Sequence, residues 1–161
     1  MHLLAPALGR LSRLAHLVLR RNKLGAAGAA ALAPPLGVLT ALTLLDLGRN
    51  HIGDIGAEAL APALSRLAKL EDLDLSQSHV GSRGFAALAP ALGTLTALTR
   101  LDISINGIRD ASVQHLVPAL SRLTALQRLE LGWQVYRITA AGQAALREAL
   151  PASAWSALHE P

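Results

Sequence analysis

Carboxylates recur at a fixed interval in this 161-residue chain: Asp46, Asp74 and Asp102 stand 28 residues apart, and Glu130 completes the row. Paired carboxylates can do acid–base chemistry when their environments drive the two pKa values apart. Asp46 with Asp74 would need a site that excludes water, and nothing around them in the sequence supplies one. His51 and His79 repeat at the same interval, close enough to share a metal ion, yet no third ligand recurs beside them. A phosphate loop, a G-x-S-x-G elbow and an H-E-x-x-H pair are all missing. With no cysteine in the chain, thiolate zinc sites, cysteine nucleophiles and disulfides are excluded. The expectation is a chain that is not an enzyme and uses no metal or cofactor.

The interval itself is the stronger signal. "LAHLVLRRNKL" (14–24), "LTLLDLGRNHI" (42–52), "LEDLDLSQSHV" (70–80) and "LTRLDISINGI" (98–108) are versions of one pattern, L-x-x-L-x-L-x-x-N-x-L. The x-L-x-L alternation predicts a short strand with one buried face. A helical stretch follows, as in "DIGAEALAPALSRL" (54–67), and Asp54, Ser82 and Asp110 are the expected caps of their own helices. Strand, crossover helix and parallel strand at every turn predict a right-handed βα coil, an α/β fold with one continuous parallel sheet. Asn22, Asn50 and Asn106 hold one position of the repeat, with Ser78 in the remaining slot. There an amide side chain can satisfy backbone groups left unpaired as the strand turns away, so these four form a structural ladder and Ser78 is its weakest rung. Proline recurs at Pro6, Pro34, Pro62, Pro90 and Pro118, which predicts bent or two-part helices.

Leu and Ala dominate the apolar half of the chain, and aromatic residues are 2%. The formal charge is +4 and the pI near 10.6. Acidic residues recur through the same motif and aromatic stacking platforms are scarce, so no nucleic acid partner is expected. Residues 24–45 carry no charge, but Pro34-Pro35 interrupts them and the run lies in register with charged segments, so no membrane span is expected. Freedom from cysteine suits a reducing compartment, and a cytoplasmic location is expected. The repeats divide a single domain into a partial unit (1–13), full units (14–41, 42–69, 70–97, 98–125) and a C-terminal capping unit (126–161). Residues 1–13 read like the later half of a helix, as if the array began upstream. The last unit inserts two residues after its strand, and Trp133, Tyr136 and Trp155 are the large side chains expected of a closing cap.

The unit L-x-x-L-x-L-x-x-N-x-(L/I)-G-x-x-G-x-x-A-L resembles the ribonuclease-inhibitor type of leucine-rich repeat over nearly the whole chain. Ser78, Arg109, Ser112 and the turn around Gln134 depart from it. The resemblance implies a horseshoe with a concave sheet and convex helices. Its relatives include ribonuclease inhibitor, NOD-like receptor arrays and Ran GTPase-activating proteins, most of which bind another protein on the concave face or rim. A GTPase-activating role, or a repeat block within a longer receptor-like protein, is the alternative it implies.

The x positions of the strands then read as columns across the sheet. Val18, Asp46, Asp74, Asp102 and Glu130 form an acidic stripe of mutually repelling charges. His16, Leu44, Asp72, Arg100 and Arg128 run beside it, so Arg100 and Arg128 can pair with Asp102 and Glu130. Arg21, Arg49, Gln77, Ile105 and Trp133 lie toward the strand ends, and Arg20 adds to the basic end. The face expected to bind a protein partner, as a monomer, comprises Arg20, Arg21, Arg49, Asp46, Asp72, Asp74, Arg100, Asp102, Ile105, Arg128, Glu130 and Trp133.

Overall fold

The computed structural model describes residues 7–134, 138–150 and 154. Among them, five three-residue strands alternate with five helices: β1 (His16–Val18), α1 (Gly25–Leu36), β2 (Leu44–Asp46), α2 (Gly53–Leu64), β3 (Asp72–Asp74), α3 (Ser82–Leu92), β4 (Arg100–Asp102), α4 (Asp110–Leu120), β5 (Arg128–Glu130) and α5 (Ala140–Ala149). The strands pair in chain order as one parallel sheet. Each is in register with the next at the repeat interval, with Leu17 beside Leu45, Leu45 beside Leu73, Leu73 beside Leu101 and Leu101 beside Leu129. The core lies between sheet and helices, where the leucine columns stack; Leu45, Leu73, Leu101, Leu60, Leu88 and Leu116 are buried. No helix among the described residues is long and apolar enough to cross a membrane.

The ladder takes the expected form. Asn50 accepts at Oδ1 from the amides of Asn22 (2.8 Å) and Leu24 (3.4 Å), and its Nδ2 donates to the carbonyls of Leu19 (2.8 Å) and Leu47 (2.9 Å). Asn106 repeats this with the amides of Ser78 and Val80 (both 3.1 Å) and the carbonyls of Leu75 and Ile103. The Asn22 side chain is exposed and donates within its own turn, to the Leu19 and Arg20 carbonyls. The irregular turn at Gln134 proves regular at this position. Its Oε1 accepts from Asn106 and Ile108 amides (3.1 and 3.2 Å), and its Nε2 donates to Ile103 and Leu131 carbonyls (both 3.0 Å). Gln134 is thus the fifth rung, an amide one methylene longer. Ser78 is buried, and its hydroxyl proton is shared between the Leu47 and Ser76 carbonyls (3.3 and 3.2 Å).

Two expectations are corrected. Asp54, Ser82 and Asp110 do not cap their own helices; they reach the helix of the next repeat. Asp54 Oδ1 accepts from Gly81 and Gly84 amides at the start of α3 (2.6 and 2.9 Å), and Asp110 accepts from the Thr139 amide (2.9 Å) and hydroxyl (2.6 Å) before α5. Those bonds from Thr139 hold the Asp110 carboxyl below its ordinary pKa. The glycines follow from this. A Cβ at Gly84 would lie 2.6 Å from Asp54 Oδ1, and one at Gly142 equally close upon Asp110. Where the reaching residue is the shorter Ser82, the glycine is replaced by Ser112, and the two hydroxyls meet at 3.0 Å.

The prolines do not divide the helices. Pro62, Pro90 and Pro118 each sit inside one continuous helix, in its last turn and exposed, where water can take the bond the ring removes. Pro6, Tyr136 and Trp155 lie outside the described residues.

Replacing Ser78 by asparagine supplies an acceptor for the amides of Asn50 and Ile52. The expected gain is about 1–2 kcal/mol, seen as a melting temperature raised by a few degrees in circular dichroism. An unchanged or lower value would contradict the ladder.

Candidate functional site

Each aspartate of the acidic column first serves its own strand exit. Asp46 Oδ1 accepts from the Gly48 amide (2.9 Å), Asp74 Oδ1 from the Ser76 amide (2.8 Å), and Asp102 Oδ1 from the Ser104 amide (3.0 Å) and hydroxyl (2.6 Å). This is the turn that aspartate makes with the backbone two residues on, and its signal was present as D-x-G and D-x-S. Far from being exposed like charges, Asp74 and Asp102 are buried, and Asp46, Asp72 and Glu130 are half-buried.

Arginines make that burial tolerable. Arg20, just past β1, reaches across β2 to bond Asp74 on β3, and passes 3.5 Å from Asp46. It can do so because Gly48 has no side chain: a Cβ there would lie 2.6 Å from Arg20 Nη1 and 2.8 Å from Asp74 Oδ1. Arg100 holds three carboxylates, Asp72 (2.9 Å), Glu130 (2.8 Å) and Asp102 (3.3 Å), and Arg128 adds a bond to Glu130 (3.1 Å). The pairing of Arg100 and Arg128 with Asp102 and Glu130 therefore follows the expected columns, whereas the reach of Arg20 needed Gly48. The two aspartates that might have divided acid and base roles share one guanidinium, so neither is set apart for proton transfer.

Electrostatics follow the packing. Burial works to lower the Arg20 pKa, but the charge of and hydrogen bond to Asp74 outweigh it and leave it raised; Arg100 behaves alike under Asp72 and Glu130. At Asp102 burial dominates. Together with the charges of Asp74 and Glu130 it outweighs the bonds from Ser104, so the carboxyl titrates above its ordinary value of 3.8.

The strand-exit column stands outside this lattice. Arg21, Gln77, Ile105 and Trp133 follow one another along the sheet edge, with Arg49 between the first two, and Trp133 is 71% exposed rather than packed as a cap. His51 and His79 lie in contact with ring centroids 4.7 Å apart and ring planes tilted by 42°. No group of three or more potential metal ligands occurs among the described residues.

Gly48→Ala is expected to destabilise by about 1–3 kcal/mol, and Arg20→Ala by a similar amount. Because both remove one contact, the double variant in urea unfolding should lose clearly less than the two losses added. For Asp102 the folded pKa lies above the unfolded one, so ionisation opposes folding. The stability of the native chain relative to Asp102→Asn should fall as pH rises from 3.8 through the folded value and be flat above it. A difference curve with the opposite slope, from urea titrations across that range, would refute the assignment.

A leucine-rich repeat family model matches residues 14–33 and 38–61. No curated protein matches the sequence. Among solved structures the chain is similar to leiomodin-1 actin-binding site 2, with a TM-score of 0.71 at 16% identity, covering 91% of this chain and 84% of that one. It is also similar to the tropomodulin C-terminal domain of Caenorhabditis elegans, with a TM-score of 0.73 at 12% identity, covering 91% and 90%. At such identities the likeness is of fold alone. The parallel sheet wound at one fixed interval makes the fold an α/β solenoid, and the segments 14–33 and 38–61 within it match leucine-rich repeats.

Proposed function

We propose that this chain is a non-catalytic protein-interaction module of the ribonuclease-inhibitor type, acting as a monomer in the cytoplasm and engaging a protein partner on its concave sheet face. The observation that carries the reading is the arginine–carboxylate lattice. Three guanidinium groups hold five carboxylates in place across neighbouring strands. Such a surface is patterned in charge and already ordered before anything binds, which lowers the entropic cost of association. Val18 is 62% exposed, and Arg128, although paired with Glu130, keeps 57% of its side chain in solvent, so a partner meets apolar and cationic contacts on the same face.

Two further facts support a macromolecular partner. The sheet is open, with its carboxylates already spent on arginines, which suits surface recognition better than chemistry on a small molecule. One structural neighbour, leiomodin-1 actin-binding site 2, is an instance of this fold in protein recognition. A GTPase-activating role would need a group placed to act on a nucleotide phosphate, and no observation here favours one.

The test compares two baits in affinity capture from host cytosol: the native chain, and Val18→Arg combined with Arg128→Glu. Both substitutions lie at solvent-facing positions and spare the buried aspartates; Arg128→Glu also gives up the ion pair to Glu130, so circular dichroism checks that both baits are folded. The expected result is a protein retained by the native bait and lost from the variant. Equal retention by both would remove the sheet face from the reading.

A further inference from the structure

On each side of the ladder position the backbone turns through the left-handed region. Arg21, Arg49, Gln77, Ile105 and Trp133 precede the ladder residue with φ of 61°, 58°, 51°, 51° and 56°; Lys23, His51 and His79 follow it at 52°, 54° and 59°. Glycine or asparagine occupies such backbone at little cost, while a β-branched residue such as Ile105 is strained there. The chain nevertheless keeps large side chains in both rows. Strain held at a surface position points toward a role for the side chain.

These rows make a ledge along the edge of the sheet, and its chemistry is graded. At one end Arg21, Lys23 and Arg49 have no carboxylate within ion-pair distance among the described residues, in contrast to Arg20 and Arg100. Arg49 Nε is buried and has no hydrogen-bond acceptor among the described residues. In the middle sit Gln77 and the contacting His51 and His79. At the other end Ile105 and Trp133 are exposed apolar side chains on successive turns, tied by the Ile105 amide to the Gly132 carbonyl (3.0 Å). No acidic residue occurs in either row.

We propose that this strand-exit ledge binds an extended, acidic segment of a partner protein, with its carboxylates over Arg21 and Arg49 and a bulky apolar side chain against Ile105 and Trp133. The inference rests on the reading of the chain as a protein-binding module and moves the specific contact from the sheet face to its edge. Spacing sets the register of the ligand. Strands about 4.8 Å apart put the basic and apolar pairs about 14 Å apart, which an extended chain at about 3.3 Å per residue spans in about four residues. The recognised segment therefore has an acidic pair and, about four positions along, an aromatic or aliphatic residue. Exposed tryptophan is a common anchor of such contacts.

The probe is a random twelve-residue peptide library displayed on phage and selected against the whole immobilised chain. Selected peptides should pair acidic residues with an apolar one at that separation. A synthetic copy should lose at least tenfold in affinity on Arg49→Glu and again on Trp133→Ala. Ile105→Asn should weaken the peptide at least threefold while keeping or raising the melting temperature, a combination that a purely structural isoleucine would not produce. Selected peptides that are basic, or that ignore all three substitutions, overturn the ledge. Loss only on Val18→Arg with Arg128→Glu overturns the ledge but leaves the sheet-face reading standing. A library without binders, or a twenty-residue oligothymidylate that binds more tightly than any selected peptide, also overturns it.

Discussion

Everything in this solenoid hangs on the buried amide at the strand exit. A chain that leaves a parallel sheet after three residues abandons backbone donors and acceptors in a place water does not reach, and each left unpaired costs about 1–3 kcal/mol. Asn50, Asn106 and Gln134 answer both needs at once, accepting from one turn and donating to the carbonyls of two. Because each rung bonds its own repeat and the preceding one, it fixes the register between them. The leucine columns, the charge columns and the helix starts all inherit that register.

Once repeats are locked side by side, residues are chosen against the neighbouring repeat as much as against their own. Asp54 faces Gly84 and Asp110 faces Gly142, while the shorter Ser82 faces Ser112. Arg20 crosses Gly48 to reach Asp74 in the same manner. A long reaching side chain and a missing Cβ are two halves of one contact. Between adjacent repeats this coupling is the nearest-neighbour term that holds a linear array together, and the Arg20–Asp74 pair extends it to the next repeat but one. It also explains why a row of aspartates survives on adjacent strands: each satisfies an amide in its own turn, Arg20 reaches Asp46 and Asp74 from another repeat, and Arg100 pairs with Asp102 within its own.

Those demands consume most of the charge on the sheet face and leave the strand exits unconsumed. The exits hold cations without carboxylate partners among the described residues at one end and Ile105 with Trp133 at the other, on a backbone that would have been easier to build from glycine. Structures with the same winding share only 12–16% identity with this chain, so the likeness extends to the fold and not to the side chains at positions the core does not claim.

Reading the sequence alone settled the repeat, the strand positions, the parallel α/β solenoid and the asparagine ladder, because all of these are periodic and a period survives without coordinates. The pairing of Arg100 and Arg128 with Asp102 and Glu130 was legible for the same reason, being a matter of adjacent columns. Only the tertiary structure decided the contacts that run diagonally. Asp54 and Asp110 cap the following helix and not their own, since the adjacent helix start lies nearer their carboxylates than the amides of their own first turn. Arg20 reaches two strands away because Gly48 clears its path, and Gln134 makes a rung although its turn looked irregular. The left-handed backbone at Arg21, Ile105 and Trp133 was equally hidden, because no local propensity favours it for those residues; the buried ladder between the two rows imposes it.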